Sequence, residues 1–69
     1  MATLIATVDG RNVYDFEVAT LAHLTGPELR MRAFKISENV AAAEADGKDP
    51  IWARDALRIT VAALNTRSA

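Results

Sequence analysis

The chain has 69 residues, eight Lys and Arg against nine Asp and Glu, a net charge of −1 and no cysteine. That length gives one domain of marginal stability, since so small a chain buries only about 60% of the surface its unfolded form exposes. Disulfides are excluded, the lone His23 excludes a zinc site of His and Cys ligands, and the balanced charge lacks the basic footprint of a phosphate binder.

No apolar run is long enough to span a bilayer. The start, "MATLIATV", lacks the basic and long apolar regions of a signal peptide, so a soluble, intracellular chain is expected. Apolar residues make up 51% of the sequence, but many are alanine. Large side chains for a core are few, led by Leu4, Ile5, Phe16, Leu21, Leu24, Leu29, Met31, Phe34, Ile36, Trp52, Leu57 and Leu64.

In chain order, the first element is a β-hairpin over about residues 3–16. "TLIATV" and "VYDF" are rich in β-branched and aromatic residues, and Asp9-Gly10 between them supplies the positive φ angles of a tight turn. Two registers are open: a two-residue loop pairs Val8 with Arg11, and a longer one pairs Val8 with Val13. Residues 17–25 read as a connector, or as one or two helical turns, that drops Leu21 and Leu24 onto the core.

At "TGPE" the signal sharpens. Thr25 and Glu28 can form a reciprocal capping box, with Pro27 in the first turn where its missing N–H costs nothing. A helix is predicted from about 26 to 45, stopping at Gly47. Leu29, Ala33, Ile36, Val40 and Ala43 form its core stripe. Met31, Phe34, Ala41, Ala42 and Ala45 lie on the opposite side, interrupted by Glu38. A helix apolar on two sides is sandwiched or carries a partner.

"GKDP" marks the next boundary, with Asp49 as N-cap and Pro50 opening a helix over about 50–65. Trp52, Ala56, Ile59, Thr60, Ala63 and Leu64 line its apolar face. Arg54, Asp55, Arg58 and Asn65 mark its wet side, and "NTRSA" is expected to fray. The fold class is therefore α+β, a hairpin packed on two helices in one small domain.

Chemistry-bearing patterns are sparse. His23 with Asp15 or Glu17 is a minimal acid–base set, better explained as a surface histidine. No nucleophile elbow or phosphate loop is present, and neither catalysis nor a cofactor is expected. "EADGKD" lacks the ligand alternation of a calcium loop and reads as a capped turn, leaving no expected metal site. Arg30, Arg32 and Lys35 concentrate positive charge on one helix, the basis of an alternative reading as a small DNA-associated regulator. Met31, Phe34 and Trp52 are the candidate anchors for a protein partner or for self-association, since aromatic residues and Met are enriched at interface centres. For Trp52 the preferred expectation is the centre of the chain's own core. The hairpin edge is a second candidate surface.

The order of "TVDGR…YDF", "LTGPEL" and "ADGKDP" before an alanine-rich last helix resembles the small tail assembly chaperones and short tail-module proteins of long-tailed actinobacterial phages. The Thr-Gly break that members carry after the first helix is absent, as are their paired terminal arginines. The resemblance implies a non-enzymatic protein of the host cytoplasm that holds a tail protein during assembly. The alternative it leaves is a small structural virion component of head, connector or tail.

Overall fold

A computed structural model describes residues 1–68. Its elements are β1 (Leu4–Val8), β2 (Arg11–Tyr14), α1 (Asp15–Ala19), α2 (Gly26–Ala45) and α3 (Ile51–Ser68). This is the expected α+β architecture.

Val8 pairs with Arg11, so the hairpin uses the two-residue loop. Asp9 and Gly10 have φ of 51° and 78°, the left-handed pair that matches the twist of the flanking strands. Pairing continues through Thr7–Asn12 and Ala6–Val13, then shifts to Leu4–Tyr14, which leaves one extra residue on β1 around Ile5. Such a bulge bends the strand and blunts its edge for further pairing.

The second strand ends earlier than residue 16. The Glu17 carboxylate accepts from the Tyr14 amide at 2.9 Å and nucleates α1 directly after the strand, which puts Phe16 on a helix. The connector is thus one short helix followed by turns, closed by Leu21 N–H to Val18 and Leu24 N–H to Leu21. Leu21 is buried and Leu24 half-buried, as the sequence suggests.

α2 has the predicted bounds. The Glu28 amide donates to the Thr25 hydroxyl at 3.3 Å, and the Glu28 carboxylate accepts from the Thr25 amide at 3.0 Å. At the other end Gly47, with φ of 74°, lets the Lys48 amide reach the Ala43 carbonyl and its own amide reach Glu44. This is the Schellman arrangement that satisfies the last carbonyls of a helix. α3 begins at Ile51, one residue later than expected, and Asp49 spends its carboxylate on the Arg54 side chain. It also runs beyond residue 65. Arg67 donates to the Ala22 carbonyl at 3.0 Å and ties the last turn to the segment after α1, so "NTR" is helical.

α3 is the middle of the molecule: the hairpin and α1 pack on it, and so does α2, which packs on no other element. The sandwiched helix is therefore α3, and the second face of α2 lies open. Val13, Leu29, Thr60 and Ala62 are fully buried, and Leu21 and Ala63 nearly so. Thr60 is satisfied, its hydroxyl donating to the Ala56 carbonyl at 2.8 Å and accepting from Arg32 Nε at 3.2 Å.

Trp52 is not the centre of the core; it is 89% exposed. Its helical face continues through Ala56, Ile59 and Ala63. Leu21 and Val18 cluster with Ile59 and Ala63, whereas Ile51 and Trp52 in the first turn of α3 stay exposed. Leu4, Phe16, Met31 and Phe34 are likewise outside the core. The expected wet side of α3 is also drier than the charges suggest, because Arg54, Asp55 and Arg58 are all half-buried.

Candidate interaction surface

Two ion clusters fix the frame that carries the surface. Arg11 on β2 donates to both oxygens of Glu17 on α1, at 2.6 and 3.1 Å, and pairs with Asp55 on α3. One guanidinium thus joins three elements through the fork geometry suited to carboxylates. The hydrogen bond from Arg11, followed by that from the Tyr14 amide, holds the Glu17 carboxyl below the usual range. Arg54 bridges Glu44 and Asp49 across the α2–α3 turn. Two of the three acids of "EADGKD" that invite a calcium reading, Glu44 and Asp49, thereby have a cationic partner. Glu17 is occupied in the same way, so it does not serve His23, which is exposed on the turn.

On this frame the large apolar side chains point outward. Met31 and Phe34, three residues apart, share one side of α2 and are 54% and 60% exposed. Ala41, Ala42 and Ala45 continue that side and are exposed too. Leu24, Glu28, Met31, Arg32, Lys35 and Ile36 line an open groove of about 430 Å³ along the edge of the helix. Trp52 and Ile51 form a second patch at the start of α3. Arg54 holds Glu44, which sets this patch beside the last turn of α2. At about 1.5 Å per residue it stands roughly 15 Å along the axis from Phe34. The three candidate anchors therefore make two patches. Phe16, stacked on Tyr14 with ring centroids 6.2 Å apart, is exposed on a third surface that periodicity within the hairpin conceals.

Of the three cations of the alternative reading, Arg32 and Lys35 both line the groove, Lys35 together with Glu28 and Arg32 bonded to Thr60 on α3, while Arg30 stands apart beside Gly26. No group of His, Asp and Glu side chains converges as a metal site among the described residues. None of their helices is long and apolar enough to cross a membrane. No family model, curated protein or solved structure matches this chain.

Proposed function

We propose that this chain is a non-enzymatic protein-binding module of particle assembly. It resembles the tail assembly chaperones of long-tailed phages and holds a tail protein through the outer face of α2 and the exposed start of α3. One observation carries the reading. The core is filled by Val13, Leu21, Leu29 and alanines, while Phe16, Met31, Phe34, Ile51 and Trp52 are exposed. A domain this small gains stability by burying its largest side chains. Leaving them in water is explained by a partner that covers them.

The test is co-expression with the tape-measure protein of a long-tailed phage, reading the soluble fraction of that protein. The expected result is solubility that depends on this chain, persists in high salt, and is lost with Phe34→Asp and Trp52→Ser. Equal solubility with the variants overturns the reading. The structural-component reading draws on the same exposed residues. Incorporation into finished particles distinguishes it, because an assembly chaperone leaves before maturation.

A further inference from the structure

We infer that the outer face of α2 takes a second copy of the same helix, antiparallel, to make a two-fold symmetric dimer. The inference rests on reading that face as a binding surface and names its occupant. The face is divided by size. Its N-terminal half carries Met31 and Phe34, and its C-terminal half carries Ala41, Ala42 and Ala45, all exposed. A two-fold axis between Ser37 and Glu38 is equidistant from Phe34 and Ala41 and nearly so from Met31 and Ala45. The bulky half of each helix then lies on the alanine half of the other, and small residues allow the close approach that large ones require. Parallel pairing would set Phe34 on Phe34 and leave alanine facing alanine.

Charge is divided in the same sense. Arg30, Lys35 and Glu38 take part in no ion pair among the described residues. The cations stand in the N-terminal half and Glu38 in the C-terminal half. About the same axis Lys35 comes within one helical turn of Glu38 on the second copy, and the contact occurs twice. The two Glu38 carboxylates approach each other near the axis, and these lysines neutralise them. Arg30 comes opposite Glu44, whose carboxylate already accepts from Arg54 and keeps acceptor capacity for a second donor.

The geometry of the monomer leaves room for this pairing. α2 packs on α3 alone among the described elements, so no other helix or strand overlies its outer face, and at about 30 Å it runs most of the 38 Å long dimension of the molecule. The dimer takes the α2 part of the surface proposed above, so the tail protein is held by the exposed Trp52 and Ile51 of the two protomers, and Phe34→Asp acts on it through the dimer.

Sedimentation equilibrium of the full chain over a wide concentration series tests the proposal. The expected mass is twice that of the chain. Phe34→Asp is expected to weaken association by about tenfold or more with unchanged helical circular dichroism, since Phe34 lies outside the core. Lys35→Glu and Glu38→Lys are each expected to favour monomer, and an equimolar mixture of the two to form a heterodimer. Direction is read by oxidation: Glu38→Cys cross-links across the axis, whereas Ala45→Cys stands about 20 Å from its equivalent, beyond disulfide reach.

A monomer at every concentration overturns the inference, as does a dimer indifferent to Phe34→Asp, a mixture that stays monomeric, or cross-linking at residue 45. A monomer that still solubilises the tape-measure protein sinks the dimer and leaves the proposed function standing. A dimer without that activity does the reverse.

Discussion

At the level of single residues, charge does its work in this protein by joining elements. Glu17 accepts two bonds from Arg11 and one from the Tyr14 amide, and Glu28 accepts from Thr25. Both carboxyls are held below their ordinary value of 4.5, Glu17 chiefly by Arg11 and Glu28 chiefly by the Thr25 amide. A group with a depressed folded pKa contributes stability above its unfolded value and loses it as pH falls through the folded one. The melting temperature should therefore be flat from neutrality to about pH 5 and fall on further acidification. The slope should be shallower in Glu17→Gln and in Glu28→Gln; a thermal melt series across that range reads it directly. Arg58 offers the opposite case. Its Nε is buried without a hydrogen-bond partner among the described residues, an omission that costs on the order of 1–3 kcal/mol. Arg58→Met keeps the apolar stem and removes the donor. It should raise stability by about 1 kcal/mol, read as a higher urea midpoint, and a lower midpoint would show that the guanidinium head is holding something.

Among elements, glycine separates required conformation from mere space. Gly47 has φ of 74° with nothing near the position a Cβ would take, so Gly47→Ala should cost roughly 1–2 kcal/mol through backbone strain alone. At Gly26 an added Cβ would make only ordinary contact with the end of the Arg30 side chain. Gly26→Ala should leave stability unchanged or raise it by up to about 1 kcal/mol, read from the urea midpoint. These ends were legible because caps and turns are local: Thr25, Pro27, Glu28, Gly47 and Asp9-Gly10 state their conformations within four residues. The core stripe of α2 was legible from its period. What periodicity could not show is which helix lies between the others, because it gives two apolar sides to α2 and a single broad one to α3, and the tertiary arrangement chooses the reverse. It also hid the Arg11–Glu17–Asp55 cluster, whose outermost members lie 44 residues apart. The start of α1 was missed for a related reason. "VYDF" has strand propensity, and a single carboxylate three residues beyond Tyr14 overrode it.

For the molecule as a whole, the distribution of size is the feature that sequence composition misjudged. Trp52 is the largest side chain in the sequence, and an apolar face that also holds Ile59 and Ala63 argues for burying it. That face outruns the core, however, because the connector covers only its C-terminal half. The consequence can be measured. Trp52→Ala should change the stability of the isolated chain by no more than about 0.5 kcal/mol, whereas Leu29→Ala, fully buried, should cost about 2–5 kcal/mol. Trp52 is the only tryptophan, so its fluorescence reports on this one patch. Iodide should quench it freely in the isolated chain. The dimer inferred above leaves it quenchable, and a foreign partner seated on the start of α3 protects it. Protection on self-association alone would place Trp52 inside the dimer and return the α2 face to the foreign partner. A large loss of stability in Trp52→Ala would instead mean that the indole is packed within the monomer, and the second patch would cease to exist.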